Sequence, residues 1–308
     1  MGEPEQVIRV EGLRKHYGSV RAVDGISFSV GRGEIFGMLG PNGAGKTTTI
    51  ECMEGLRTPD SGTLEILGLT HKGASAAIKS RIGVQLQTTG MYPKLTVAEL
   101  IDLFGSFFPR AVPTTDLIRM VGLEEKSRAF SKDLSGGQRQ RLSVAMALVN
   151  GPEIVFLDEP TTGMDPQARR ALWDVIRGLR DRGKTVVLTT HYMEEAEHLC
   201  DRVAIVDRGH IIEMDSPSAL VNKHFKHIAI EFDAPEGTQT EALAALPGVA
   251  NLIRGNGKVT LYSSDVPGTM AGLLGLTGEN AVSLKHMVVR QASLEDVFLK
   301  ITGRSMRE

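Results

Sequence analysis

The sequence predicts an α/β protein with a mainly parallel sheet organised around a phosphate loop, followed by a smaller α+β domain. Three observations predict it. GPNGAGKT, residues 40–47, matches the phosphate-loop pattern G-x-x-x-x-G-K-[ST] in full. Short apolar strand-like runs alternate with helical patterns around that loop, the arrangement of a parallel sheet covered by helices. Near Ser216-Pro217 the character changes, and the rest reads as β-α-β-β-α-β, the order of a ferredoxin-like domain. The expected domains are residues 1–216 and 217–308.

Each element has its own signal. VIRV (7–10) and ISFSV (26–30) carry the apolar content of strands. GEIFGMLG (33–40) is a short apolar strand ending in glycine, and a helix from about Lys46 through Met53 follows the loop. TPDSGTLEILG (58–68) is a Pro/Gly-marked turn leading into a strand, and IGVQL is strand-like. Residues 96–127 read mainly helical, broken near Pro109 and Pro113, and a second helix spans 138–149. PEIVFLDEP (152–160) is a buried apolar strand ending in two acids. RRALWDVIRGLRDRG (169–183) has the 3.6 period of an amphipathic helix closed by glycine. KTVVLTTH (184–191) is the next strand, and DRVAIVDRGHII (201–212) gives two more around Arg208-Gly209.

In the second domain KHIAIEFD (226–233) is a strand and TQTEALAALPG (238–248) a short helix stopped by Pro and Gly. VANLIRGNGKVTLYSS (249–264) reads as a hairpin around Gly255-Asn256-Gly257. A helix at 266–276 and a strand near 282–290 follow. SLEDVFLKITG (293–303) is helical: Ser293 suits the cap, Glu295 or Asp296 the first turn, and Val297, Phe298 and Ile301 share a face. Nothing in residues 217–308 reads as nucleotide or metal chemistry, so a structural or docking domain is expected there.

The bulk composition bounds the function. At 308 residues, with 41% hydrophobic and 23% charged, the chain suits one large globular domain plus a smaller one. A net charge of −2 gives no overall field toward nucleic acid or an anionic membrane. Cys52 and Cys200 form no C-x-x-C pair, so neither a metal site nor a disulfide framework is expected, and a reducing cytoplasm fits. No apolar run reaches the ~18 residues of a membrane span. MGEPEQVIRV has no basic region followed by an apolar core, so no signal peptide is expected. Work on a membrane then requires docking to another protein there.

The chemistry starts at the phosphate loop. Gly40, Gly43 and Gly45 give the backbone the freedom to curl with its N–H groups inward. Lys46 supplies a point charge for the β- and γ-phosphates, and the Thr47 hydroxyl is placed for Mg²⁺. In IVFLDE (154–159) four apolar residues bury a strand whose end projects Asp158 at the phosphates, as a direct or water-mediated Mg²⁺ ligand. Glu159, one residue further, suits a general base acting on water. A second glycine turn, LSGGQ (134–138), runs into a helix and offers another anion site at its N-terminus.

GPNGAGKTT, LSGGQ and IVFLDEP, in that order, resemble the nucleotide-binding subunit of ATP-binding cassette (ABC) proteins, over residues 5 to 216. The resemblance implies a P-loop NTPase cassette in which the mainly parallel sheet is joined by an antiparallel β subdomain and a helical subdomain. It implies that Gly40, Pro41, Asn42, Gly43, Ala44, Gly45, Lys46, Thr47 and Thr48 hold ATP. Two cassettes pair head to tail in this family, most simply here as a homodimer, and Ser135, Gly136, Gly137 and Gln138 then complete the neighbour's site. Ser135 also suits the cap of its own helix.

Further positions match the pattern. Tyr17 lies where an aromatic ring stacks on adenine. Gln87, in IGVQLQ, matches the glutamine that reaches Mg²⁺ and the lytic water, with Gln85 as a nearby alternative. Asp165 matches the aspartate that crosses the dimer interface, with Met164 where leucine is commoner. His191 matches the histidine that contacts the γ-phosphate. The family also implies a separate transmembrane permease as partner, no nucleic acid, and a cytoplasmic location on the inner face of the cell membrane. Residues 88–110 match its docking region, with Met91 and Tyr92 as contact candidates and Phe104, Phe107 and Phe108 mostly as core. A ribosome- or DNA-acting ABC ATPase is the alternative, set back by the single phosphate loop and the absence of a long coiled coil. SLEDVFLKITGR resembles the ending of daunorubicin-resistance export cassettes, which favours export of a drug-like or other hydrophobic substrate over import.

Overall fold

The computed structural model describes residues 5–86, 90–234, 240–255, 257–278 and 286–303. It divides into two compact units, Met1–Pro217 and Ser218–Glu308. In the first, the chain runs through β1 (Gln6–Tyr17), β2 (Val20–Gly31), β3 (Ile35–Leu39), α1 (Lys46–Met53), β4 (Ser61–Ile66), β5 (Leu69–Thr70), α2 (His71–Lys79) and β6 (Ile82–Gln85). It continues through α3 (Val97–Gly105), α4 (Thr114–Met120), α5 (Gly136–Ala147), β7 (Ile154–Asp158), α6 (Pro166–Asp181), β8 (Thr185–Thr190), α7 (Met193–Leu199), β9 (Arg202–Asp207) and β10 (His210–Asp215).

These strands make two sheets. One is antiparallel, in the order β2-β1-β4-β5. The other, β10-β9-β3-β8-β7-β6, is parallel from β9 to β6, with β10 antiparallel at its edge. The middle strands β3, β7 and β8 are buried at every position, which is why they read as near-continuous apolar runs. The two sheets share a core: Ile8, Val10, Ile26 and Phe28 meet Phe36, Met38, Phe156 and Val187, with Ile50 and Met53 of α1 among them. The Phe28 and Phe36 rings stack with centroids 5.1 Å apart.

The helices follow their signals. α6 buries Leu172, Trp173, Ile176 and Leu179, one stripe of a 3.6-residue period. The break expected near Pro109 and Pro113 falls between α3 and α4. β1 runs well past VIRV to Tyr17, because its polar second half pairs with β2 and its Arg14 with Ser61 of β4. Interstrand hydrogen bonds hold a segment that has no apolar pattern of its own. α2 and α7 were not foreseen. Each has fewer than ten residues, too few to show a period and stable only through packing.

The second unit contains most of α8 (Pro217–His224), then β11 (Ile228–Asp233), α9 (Thr240–Ala244), β12 (Val249–Gly255), β13 (Lys258–Ser263), α10 (Val266–Gly278), β14 (Val288–Arg290) and α11 (Leu294–Thr302). α8 starts at the expected domain boundary, at a proline well suited to a first helical turn. The four strands are antiparallel in the order β12-β13-β11-β14. Ile230, Phe232, Val259 and Leu261 alternate onto one face and pack on Leu243 and Leu273. On the other face Tyr262 stacks on Phe225 at 4.3 Å. Asn256 and residues 282–285 of the expected hairpin turn and last strand lie outside the described residues.

At α11 it is Asp296, not Glu295, that completes the capping box, accepting from the Ser293 N–H at 2.7 Å. Its carboxylate also takes two nitrogens of Arg290, at 2.6 and 3.0 Å, and the same guanidinium reaches Glu231 at 2.9 Å. SLEDVFL therefore clasps α11 to β14 and β11.

Candidate nucleotide-binding site

The phosphate loop turns where β3 meets α1. A Cβ on Gly40 would stand 2.2 Å from the Val206 carbonyl oxygen, and one on Gly45 2.2 Å from that of Ala22, so neither position admits a side chain. Gly43 has open space around it but a φ of +78°, the left-handed region that glycine enters without penalty. Ala44 N donates back to the Pro41 carbonyl at 3.2 Å, closing the turn, while Asn42 is exposed at its tip. The first N–H groups of α1, from Lys46, Thr47 and Thr48, have no partner earlier in the helix and form the start of an anion site.

Lys46 is 3% exposed. Its Nζ donates to the Gly40 and Pro41 carbonyls at 2.8 and 3.0 Å and lies 3.6 Å from Glu159 Oε1. Burial lowers its pKa, against the pull of the Glu159 and Asp158 carboxylates.

β7 brings in the two acids. Thr47 Oγ1 donates to Asp158 Oδ1 at 3.2 Å, and the Thr189 hydroxyl donates to the same oxygen. Burial raises the Asp158 pKa, while these two hydroxyls act against the rise. Successive residues of a strand point to opposite faces. Glu159 escapes that rule with a φ of +46°, a conformation costing a non-glycine residue about 1–2 kcal/mol. The turn lets both carboxylates reach the α1 end of the loop. It is pinned by Glu159 N donating to Thr189 Oγ1 at 3.0 Å and by Thr162 Oγ1 donating to Glu159 Oε2 at 3.1 Å. His191 arrives from the end of β8, with Nδ1 3.3 Å from Glu159 Oε2 but not aligned for a hydrogen bond.

The second glycine turn opens α5. Ser135 caps α5 in a box with Gln138: Gln138 N donates to Ser135 Oγ at 3.2 Å, and Ser135 N to Gln138 Oε1 at 2.9 Å. Asp165 caps α6, accepting from Ala168 N at 2.9 Å. The two helix starts touch, since a Cβ on Gly137 would lie 2.6 Å from Ala168 Cβ and 3.2 Å from Met164 Cε. Gly136 has no atom within 4 Å of such a Cβ. Among the described residues, no hydrogen bond or ion pair ties this turn to Lys46 or Asp158.

The remaining candidates divide. Tyr17 is 41% exposed at the end of β1, with Lys15 Nζ and the Arg57 guanidinium each 5.7 Å from its ring centre. Gln87 lies outside the described residues. Gln85, its alternative, is buried, and its amide donates to the Leu86 carbonyl at 2.6 Å. Thr189 and Thr162, which hold the acid pair, were missed. The TT of VVLTTH and of EPTT were visible, but not that the strand pairing sets Asp158 opposite Thr189.

A phosphate loop after the central strand, an acid pair at the end of a parallel strand and a second helix-capping glycine turn define a nucleotide-hydrolysing cassette. Residues 23–162 match the ABC transporter family. Nod factor export ATP-binding protein I of Ralstonia nicotianae is 41% identical over 309 residues, covering 98% of this chain and 95% of that protein. The protein of the same name from Paraburkholderia xenovorans is 39% identical over 310 residues, covering 99% and 100%. This chain therefore belongs to the ABC transporter family as an ATP-binding subunit, and it is an ATPase.

Two solved structures are similar in fold. Dimeric ATP-binding cassette MJ0796, in a post-hydrolysis state with ADP and Pi, superposes with a TM-score of 0.62 at 25% identity, over 68% of this chain and 98% of that one. The cbiO1 subunit of Clostridium perfringens gives 0.65 at 24%, over 71% and 92%, a likeness of fold alone. The MJ0796 cassette is dimeric in that structure.

Proposed function

We propose that this chain is the ATPase of an exporter, hydrolysing ATP at sites shared by two copies and so driving a separate membrane permease. The observation that carries this reading is that one chain holds two anion-type turns with, among the described residues, no hydrogen bond or ion pair between them. Lys46, Asp158, Glu159 and His191 converge at one end of the parallel sheet, whereas the LSGGQ turn stands on α5 beside α6. Head-to-tail pairing sets Ser135, Gly136, Gly137 and Gln138 of one copy over the ATP held by residues 40–48 of the other, with Asp165 at the same interface. Tyr17, exposed and flanked by cations, suits stacking on adenine.

In the reaction Glu159 takes a proton from the water that attacks the γ-phosphorus. The bond to the β,γ-bridging oxygen breaks, leaving ADP and phosphate. Lys46 spreads the charge on the phosphoryl oxygens, and His191 holds the γ-phosphate. Thr47 and Asp158, hard oxygen donors 3.2 Å apart, suit Mg²⁺, with Gln87 as a further ligand. When bound, the ion neutralises phosphate charge.

Among the described residues no helix is long and apolar enough to cross a membrane. We place the chain on the inner face of the cell membrane through its permease, with Met91 and Tyr92 in the docking region. The relatives' name supports export. The SLEDVFLKITGR ending supports the antibiotic-export type and a drug-like or other hydrophobic substrate, which the permease selects. The strand order β14-β11-β13-β12 supports a ferredoxin-like accessory domain in residues 217–308.

The test is the mass of Glu159→Gln protein by light scattering, with and without Mg-ATP. A monomer that becomes a dimer with ATP, and no longer does so when Ser135→Arg is added, is the expected result. ATP-induced dimerisation that survives Ser135→Arg would overturn the shared site.

A further inference from the structure

We propose that Glu195 is a positioning residue for ATP hydrolysis: held by the Trp173 indole, it fixes the segment carrying His191 to the helix that Asp165 begins. The inference rests on the roles given above to His191 and Asp165.

Glu195 occupies the inward face of α7, beside Ala196 and Leu199, while Glu194 and Glu197 face solvent. It is fully buried, at a position where the helix pattern calls for an apolar residue. Burying a carboxyl is costly unless its bonds are specific. Here Trp173 Nε1, on α6, donates to Glu195 Oε1 at 3.0 Å inside the core. Thr190, adjacent to His191, and Thr161, two residues beyond Glu159, are its other polar neighbours. Burial raises its pKa, and these hydroxyls, the indole and Arg169 oppose the rise. Glu195 Oε2 and the Thr161 hydroxyl are nevertheless both buried without a well-formed hydrogen bond. One carboxyl thus sits among the segments that carry Glu159, His191 and Asp165.

A second tie runs in parallel. The Tyr192 ring lies 4.2 Å from that of His191, and the Arg169 guanidinium of α6 covers Tyr192 at 4.6 Å. Arg169 also stands 3.8 Å from Glu194. The start of α7 is therefore fastened to α6 on both sides of Met193. The Tyr17 stack and the phosphate loop hold ATP without this fastening, so loosening it shifts the groups around the γ-phosphate rather than nucleotide affinity. A misplacement of about 1 Å can cost about 100-fold in rate.

The experiment measures kcat and KM for ATP hydrolysis, with thermal melts, in wild type, His191→Ala, Glu195→Ala, Glu195→Gln and Trp173→Phe. Glu195→Ala and Trp173→Phe are expected to lower kcat about 10-fold or more with KM within about 2-fold. Glu195→Gln, whose amide oxygen still accepts from Trp173, should stay within about 3-fold of wild type. Should Glu195→Ala fail to fold, Trp173→Phe, which keeps an aromatic ring there but loses the N–H donor and part of the indole's bulk, still decides, with the melts showing how much is lost to packing. Wild-type kcat in Trp173→Phe, or Glu195→Gln as impaired as Trp173→Phe, overturns the inference. If His191→Ala retains full activity, the reading of His191 fails and this inference with it. If His191→Ala is inactive and Glu195→Ala is normal, this inference alone fails.

Discussion

Lys46 Nζ lies 3.6 Å from Glu159 Oε1, and both side chains are more than nine-tenths buried. Two motifs far apart in the chain meet as opposite charges in one dry corner. The same ammonium donates to the Gly40 and Pro41 carbonyls, so ATP binding requires it to exchange neutral acceptors for phosphate oxygens. Phosphate oxygens carry charge opposite to the ammonium where carbonyl oxygens carry none, and that Coulomb attraction drives the exchange. Lys46→Ala should weaken ATP binding about 10- to 100-fold, roughly 1.5–3 kcal/mol, by titration calorimetry. Unchanged affinity would remove Lys46 from the phosphate site.

Thr189 bonds both acids of the pair, donating to Asp158 and accepting from the Glu159 N–H. Thr189→Val keeps the strand and removes the hydroxyl. It leaves a buried N–H without its acceptor and releases the turn at Glu159. A stability loss of about 1–3 kcal/mol is expected in urea unfolding, together with a lower kcat. Stability within experimental error of wild type would show that the turn holds itself.

Gly136 and Gly137 separate a folding requirement from an interface requirement. Gly137→Ala drives a methyl into Ala168 and Met164 and should cost about 1–3 kcal/mol. Gly136→Ala enters open space in a helix and should leave stability equal or higher by about 0.5–1 kcal/mol. If Gly136→Ala nevertheless abolishes ATP-dependent dimerisation, the loss arises across the interface. Equal destabilisation of both variants would contradict this packing.

Glu54 gives a pH dependence. It is 2% exposed, neither carboxylate oxygen has a hydrogen bond, and burial with the nearby charges of Asp158 and Glu51 pushes its pKa up to about 8 from 4.5. Between those values the folded protein keeps a proton that the unfolded chain has lost. The unfolded state therefore binds fewer protons, and stability falls as pH rises through that window. Glu54→Gln removes the titration. Its melting temperature should gain on wild type steadily from pH 5 to pH 8. A difference that does not change with pH would show that Glu54 is not held neutral by the fold.

Much of the site was legible because it depends on local backbone chemistry. The phosphate loop, the cap at Ser135 and the bounds of α1 follow from glycines, hydroxyls and helix formers placed next to one another in the chain. The apolar run of β7 marked both its burial and the acids at its end. What escaped was lateral. Glu195 hides a carboxyl on a helix face, and Thr189 serves two acids from a neighbouring strand. Nothing beside these residues in the chain reports what they face.

The sequence by itself determined the class of protein, the nucleotide-binding motif, the acid pair and the second glycine turn, because each is a short run whose chemistry is complete within a few residues. Only the tertiary structure decided which strand lies beside which, how the left-handed turn at Glu159 sets two successive carboxylates against Lys46 and Thr47, and that the LSGGQ turn packs on α6. The physical reason is that hydrogen-bond register and side-chain packing join residues distant in the chain, and their energies do not exist until the fold has closed.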